Sequence, residues 1–469
     1  MNKVRYLANN IALFSISNFV SKILVFLLVP LYTNVLTTEE YGVADIFQVT
    51  LLLLVPALTI NIGEGALRFG IERKGDRGSI LSLGAKYTLR AWFLVSGGCA
   101  AASPFVTPKI RLYLLWFIIL FLTNAMYEFL VLYMQGCEQV PVVVAGSILS
   151  TLIMVSCNLL FLLVLRIGLG GYFYSQMIAF GVAALTMLLL GRKKIRSGEF
   201  GPVTGNPELE KELIAYGKPM ILYSTASWVN NASDRYLVAF LCGVSVNGLY
   251  GVAYKIPAIL MVFQRIFAQA WQMSATKSYK DKQSDEFFTT MYCAYHTVMV
   301  IGCSLLILFL QPIAALLFQK DFNAAWIYVP PLLISVIFGA LTGFLGSINL
   351  AHKDPKAMGI ATGCGAVLNV VLNLILIPHL GAMGAAIATA VSYFTMYFLA
   401  LLFTRKHVRI GANFIRDYLA YALLVAEAVC MIVLNRSLLA YIGCSLIVLG
   451  LILMHGRDCM DIWRKRHDL

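Results

Sequence analysis

Charge is scarce in this chain. Asp, Glu, Lys and Arg make up 13% of 469 residues, while hydrophobic residues reach 60%. Soluble globular domains carry about 25% charged residues, so an ordinary soluble enzyme is excluded. Sequence signatures of chemistry are missing as well. The ten cysteines contain no C-x-x-C pair. Cys99, Cys157, Cys242, Cys293, Cys303, Cys364, Cys430 and Cys444 fall within or beside apolar runs, and only Cys137 and Cys459 sit in polar stretches. They read as small buried hydrophobes, not as a disulfide framework. The six histidines are scattered without H-E-x-x-H or comparable spacing, so neither a metal site nor a cofactor is expected. Paired carboxylates, a Walker motif and a nucleophile elbow are also absent. The first apolar run, Ile11 to Leu36, is too long for a signal-peptide core and lacks a small-residue cleavage site.

What the chain does have is apolar length. Its mean hydropathy is +0.80, and a helix needs ~20 apolar residues to cross a hydrocarbon core of ~30 Å. Apolar runs bounded by Gly, Pro and charge predict fourteen spans, at 10–33, 43–67, 81–103, 112–134, 142–165, 170–191, 214–242, 248–272, 291–311, 326–350, 357–378, 381–403, 417–434 and 438–455. Backbone groups in lipid must be satisfied within the segment, so runs of this length are helices. The short alternating segments of a β-barrel do not occur. The expected class is an all-α polytopic membrane protein.

The net charge of +13 follows that topology. Lys109, Arg111, Arg166, Lys320 and Arg436 fall in odd-numbered loops. Most other bases outside the spans lie in even-numbered loops or the terminal segments, as in Arg192-Lys193-Lys194, Arg405-Lys406 and Arg464-Lys465-Arg466. The positive-inside rule then places both termini in the cytoplasm and removes the case for nucleic acid as a partner.

The chain also repeats itself. Tyr-Gly-Val-Ala occurs at Tyr41–Ala44 and at Tyr250–Ala253, and Gly168-x-x-Gly171 is echoed by Gly381-x-x-Gly384. Two echoes at nearly equal offsets, 209 and 213, argue for duplication of a six-span unit. An even number of spans makes the halves parallel, related by an axis along the membrane normal. The expected organisation is an N-lobe at 1–191, a linker at 192–213, a C-lobe at 214–404, and two further spans with a tail at 405–469. Asn206-Pro207 marks the N-cap and first position of the helix after the linker.

Ionisable residues within spans carry the functional signal, because each costs ~2.5–3.5 kcal/mol at mid-bilayer and must pair or line a wet cavity. Span one places Ser15, Asn18 and Lys22 on one face, and span two does so with Asn61, Glu64 and Arg68. Glu64 precedes Arg68 by four residues, the favourable order for a pair. Span three offers Lys86 and Arg90. Span seven carries Asn230, Asn231, Asp234 and Arg235. Span eight sets Lys255, Arg265, Gln269 and Gln272 within an arc of roughly 100°. Arg68, Lys86 and Lys218 lie near cytoplasmic ends, where snorkelling is an alternative. Asn369 and Asn373 read as interhelical hydrogen-bonding residues. Glu128 and Glu427 have no assigned role.

Several of these stretches resemble the polysaccharide transporter family, the O-antigen and capsule flippases of the MATE-like multidrug/oligosaccharidyl-lipid/polysaccharide exporter superfamily. The resemblance rests on Ser17-Asn18-x-x-Ser21-Lys22, Leu36-x-x-Glu39-Glu40-Tyr41-Gly42, Gly63-Glu64-x-Ala66-x-Arg68-Phe69, Asp234-Arg235 and Gly248-x-Tyr250, within residues 10–405. It implies two six-helix lobes around a cationic cavity, and movement of undecaprenyl-diphosphate-linked glycans to the outer leaflet. Lys22, Arg68, Arg90, Arg235, Lys255 and Arg265 become candidates for holding diphosphate or acidic sugars, with Asn18, Asn61, Asn231 and Gln269 as polar lining. Glu64 and Asp234 are the candidates for coupling or pairing. The expected setting is the bacterial cytoplasmic membrane, with a glycan polymerase as a possible partner. The alternatives are a cation-coupled drug exporter of the same fold, disfavoured because deep bases outnumber deep acids, and a membrane glycan polymerase, disfavoured by short outer loops.

Overall fold

The computed structural model describes residues 24, 26–196, 206–278, 284–435 and 437–467. Among these residues helices follow one another and no strand occurs. They are α1 (Val29–Val35), α2 (Thr38–Leu58), α3 (Ile62–Glu72), α4 (Arg77–Ala102), α5 (Pro108–Gly136), α6 (Val140–Asn158), α7 (Leu169–Arg196), α8 (Pro207–Cys242) and α9 (Val244–Ala253). After these come α10 (Pro257–Ser278), α11 (Ser284–Leu308), α12 (Leu310–Leu317), α13 (Val329–Ala351), α14 (Pro355–Leu380), α15 (Ala382–Thr404), α16 (Phe414–Val433) and α17 (Leu438–His467).

Nine of the described stretches are long and apolar enough to cross a bilayer, or ten if α9 and α10 form one broken span. Helices α4, α8 and α16 are long enough too, at 26, 36 and 20 residues, but their charges lower the average. Span one falls mostly outside the described residues. The total is therefore close to the fourteen expected.

Two spans differ from the continuous helices expected. Span two is broken: α2 ends at Leu58, and Ile60 and Asn61 take left-handed φ values of 56° and 49°. Pro56 lies in the last turn of α2, and the Asn61 amide closes onto the Pro56 carbonyl at 2.9 Å, one residue beyond α-helical spacing. Asn61 therefore sits at the break and does not share a helical face with Glu64 and Arg68. Span eight bends by 49° between α9 and α10, where Pro257 has no amide hydrogen to continue the ladder. Lys255 falls in that break, so it is not on the helix that carries Arg265 and Gln269.

The chain forms two compact units, Met1–Leu36 with Val43–Trp228, and Thr37–Gly42 with Val229–Leu469. The division falls inside α8 and does not coincide with the 192–213 linker. In the first unit α3, α4 and α5 meet the start of α8 through Ala66, Ile80, Phe129, Tyr133, Leu209 and Leu213. A buried arginine closes one end of this bundle. Arg77, 6% exposed, donates to the Gly70 carbonyl at 2.9 Å and the Gly136 carbonyl at 3.3 Å. Glycines 70 and 136 end or nearly end α3 and α5, so this residue, placed in a loop by hydropathy, satisfies carbonyls that a helix end leaves without partners.

In the second unit α13 is the core helix. Its most apolar stretch is 83% buried, against at most 50% for every other apolar span. The Gly168 and Gly381 echo has a structural counterpart. Gly168 and Gly381 take φ values of 66° and 61°, and each carbonyl accepts the amide three residues on at 2.9 Å. A side chain is strained in that conformation. Within the second unit, a Cβ on Gly42 would meet the Val244 carbonyl, and one on Gly248 the Thr38 carbonyl. The start of α2 and the start of α9 thus approach each other at these glycines, and Thr38 Oγ1 lies 2.5 Å from Ser245 Oγ.

Candidate functional site

The first unit collects bases along α3 and α4. Lys86 Nζ meets both carboxylate oxygens of Glu210, at 2.7 and 2.8 Å, and Tyr87 donates to the same group at 2.8 Å. Arg90 lies 4.0 Å from Glu210 with its side chain 57% exposed. Arg73 pairs with Glu212 at 2.6 Å. The acids come from the start of α8, where Asn206 Oδ1 accepts the amides of Glu208 and Leu209 at 3.2 Å. That cap is the one the sequence marked, but it did not point to Glu210 as the partner of span three. The Lys86 ammonium, and then the Tyr87 hydroxyl, hold the Glu210 carboxyl below the usual range.

Arg68 corrects the expected Glu64–Arg68 pair. Its Nε bonds Glu72 at 3.1 Å and its guanidinium lies 4.9 Å over the Tyr216 ring. Stacking and the next-turn acid draw the side chain away from Glu64. Glu64 instead lines a cavity of about 190 Å³ with Thr59, Asn61, Thr88, Glu128 and Phe129. Asn61 Nδ2 donates to Ser224 Oγ at 3.2 Å beside it. This brings together two carboxyl groups, one of which, Glu128, sequence reasoning left without a role.

The second unit centres on Asp234, 2% exposed. Its Oδ2 accepts hydrogen bonds from Tyr250 at 2.7 Å, Tyr254 at 2.8 Å and Thr389 at 3.4 Å, and its Oδ1 accepts the Arg235 amide at 2.9 Å. Asn369 donates to Thr389 at 3.4 Å, and Asn373 to Asn369 at 2.9 Å. Asn369 therefore links α14 to α15, as its sequence reading implied, while the Asn373 bond stays within α14. Three hydroxyls converge on the Asp234 Oδ2, an oxygen-rich setting that suits a proton or a hard cation. Half-buried Arg235 lies 4.5 Å over the Tyr254 ring, and Lys255 follows Tyr254 in the break before α10. Tyr393 donates to Asn231 Oδ1 at 2.6 Å. Arg265 is exposed on α10.

Lys22 and Asn18 lie outside the described residues, as does the side chain of Gln269. None of the nine cysteines with described side chains forms a disulfide. Histidine spacing predicted no metal site, yet the fold places His296, Asp417 and His455 together, all buried, with one ligand atom from each within 4.8 Å of the others.

Residues 7–272 match the family described as polysaccharide biosynthesis protein. The chain belongs to that family. Among curated proteins it is 26% identical over 186 residues to the probable low-salt glycan biosynthesis flippase Agl15 of Haloferax volcanii, covering 39% of each chain. It is 25% identical over 264 residues to the membrane protein MJ1375 of Methanocaldococcus jannaschii, covering 53% of this chain and 62% of the relative. The chain thus matches less than two thirds of the length of either. Among solved structures, the lipid II flippase MurJ in an inward closed conformation aligns over 97% of this chain and 99% of its own, with TM-score 0.71 and 14% identity. An inward-facing multidrug resistance MATE transporter of the MOP superfamily aligns over 86% and 96%, with TM-score 0.68 and 13% identity. The fold is the MATE-like fold of that superfamily, in a multi-pass membrane protein.

Proposed function

We propose that the protein is a flippase that carries a diphosphate-linked oligosaccharide lipid, of the undecaprenyl type, across the bacterial cytoplasmic membrane for surface polysaccharide assembly. It works by alternating access, with both termini in the cytoplasm and a glycan polymerase taking the product. The observation that carries this reading is the extent of the family match. Residues 7–272 contain all six candidate bases, Lys22, Arg68, Arg90, Arg235, Lys255 and Arg265. A diphosphate entering a bilayer loses water, and an ammonium or guanidinium supplies charge-assisted hydrogen bonds in its place. Asp234, ringed by hydroxyls, is the coupling candidate.

The test is complementation of a flippase-deficient strain with protein levels checked by blot. Lys22→Ala, Arg235→Ala and Lys255→Ala are expected to lower surface polysaccharide at normal abundance, with Lys22→Arg retaining more activity than Lys22→Ala. Normal polysaccharide from all three alanine variants would overturn the cationic mechanism. The cavity shared by Glu64 and Glu128 favours a second reading, a cation-coupled drug exporter. That reading requires drug resistance from the expressed protein, lost in Glu64→Gln and Glu128→Gln.

A further inference from the structure

Helices α11, α16 and α17 meet around groups that the transport reading does not use. His296 comes from α11, Asp417 from the first turn of α16, and His455 from α17. They are 0%, 1% and 0% exposed. His296 Nδ1 lies 3.9 Å from Asp417 Oδ1, too far for a hydrogen bond, and has no hydrogen-bond partner among the described residues. The two imidazole rings are 5.4 Å apart.

The far side of each ring decides what faces inward. His455 Nδ1 is 3.0 Å from the Leu451 carbonyl oxygen, so this nitrogen carries the proton and Nε2 keeps a lone pair. His296 Nε2 is 3.0 Å from the Tyr421 hydroxyl. With the proton on Nε2, its Nδ1 lone pair faces Asp417. A histidine that ligates a metal commonly donates its other N–H to a carbonyl or similar oxygen, which fixes ring and tautomer. The Leu451 carbonyl gives His455 that support, and the Tyr421 hydroxyl gives it to His296 when it accepts.

We propose that His296, His455 and Asp417 form a binding site for a divalent transition metal of the zinc type, which fastens the α16–α17 hairpin to α11. Donors bound at ~2.0–2.2 Å around one tetrahedral centre lie about 3.3–3.6 Å apart, so spacings of up to 4.8 Å need only a small contraction. Imidazole nitrogen with one carboxylate is a donor set that zinc accepts, and three protein ligands leave a fourth position for water. The competing cation is Arg416, whose Nη2 is 3.5 Å from Asp417 Oδ1 with the side chain 18% exposed. Metal entry displaces it from that oxygen.

The experiment uses the purified full-length protein in nanodiscs, treated with chelator, dialysed into metal-free buffer and titrated with Co²⁺ and Zn²⁺. Wild type is expected to take up one equivalent of Co²⁺ with visible absorption that Zn²⁺ displaces and chelator abolishes. His296→Ala and His455→Ala are expected to lose that equivalent. Tyr421→Phe, which keeps the ligands but frees the His296 N–H, weakens affinity ~10-fold, and Arg416→Ala tightens it. Failure of wild type to bind Co²⁺ or Zn²⁺ overturns the site without recourse to any variant. Unchanged uptake in the two histidine variants overturns it as well, by assigning the metal to other groups such as the thiols. Neither result bears on glycan transport.

Discussion

At the scale of single residues, the charges divide by what each one touches. Hydropathy treated Arg77 as one more cytoplasmic base, yet it is more deeply buried than most aliphatic residues and holds the ends of two helices. Its replacement by Ala leaves the Gly70 and Gly136 carbonyls without a donor, at about 1–3 kcal/mol for each buried group left unsatisfied. Arg77→Lys recovers only part, because an ammonium cannot reproduce the fork that reaches both carbonyls. Thermal unfolding of detergent-purified protein is expected to rank wild type above Arg77→Lys and Arg77→Ala last. Glu210 yields a second prediction, in pH. The Lys86 and Tyr87 hydrogen bonds lower its folded-state pKa, so their stabilisation is complete above the unfolded value of about 4.3 and fades as pH falls through the folded one. The stability gap between wild type and Glu210→Gln is therefore open at neutral pH and narrows as pH falls below about 4. A gap that stays constant as pH is lowered from neutral to well below that value would refute the clasp.

At the scale of elements, the sequence showed the helices more clearly than their interruptions. Apolar run length identified the spans because a bilayer imposes one minimum length on all of them. Breaks depend on a few dihedrals, and average hydropathy does not register them. Pro257 could have signalled the bend after α9, since it has no amide hydrogen to continue the helical ladder. The turn at Ile60 and Asn61 carried no such mark beyond Pro56, because left-handed non-glycine residues are fixed by packing and by the Asn61–Ser224 bond. Partners were harder still. Glu64 and Arg68 had suitable spacing, but Tyr216 and Glu72 decided where the arginine lies. The cavity pairing Glu64 with Glu128 joins different helices, and the His296, Asp417 and His455 cluster joins three. No local spacing could disclose either one. The Gly168 and Gly381 echo was legible because a positive φ demands glycine at both places.

At the scale of the whole molecule, orientation rests on where the bases are, and that argument is open to a direct test. Lys and Arg concentrate in the even-numbered loops and at the termini, and insertion retains such segments on the cytoplasmic side. The 192–213 segment, with Arg192, Lys193, Lys194 and Arg196, is then inside. On the same argument Lys109, which opens the helix after the third span, and Ser245, in the first turn of α9, are outside. Single cysteines introduced into a background lacking the ten native ones report this with a membrane-impermeant maleimide. Lys109→Cys and Ser245→Cys are expected to label in intact cells, whereas Gly201→Cys labels only after the cells are opened. The reverse pattern would invert every span together, because helices joined by short loops cannot change sides one at a time. It would also place the candidate bases of α3 and α4, near the cytoplasmic end in this orientation, at the outer leaflet. A substrate made on the cytoplasmic side would then not meet those charges first, and the direction of transport proposed here would fail with the topology.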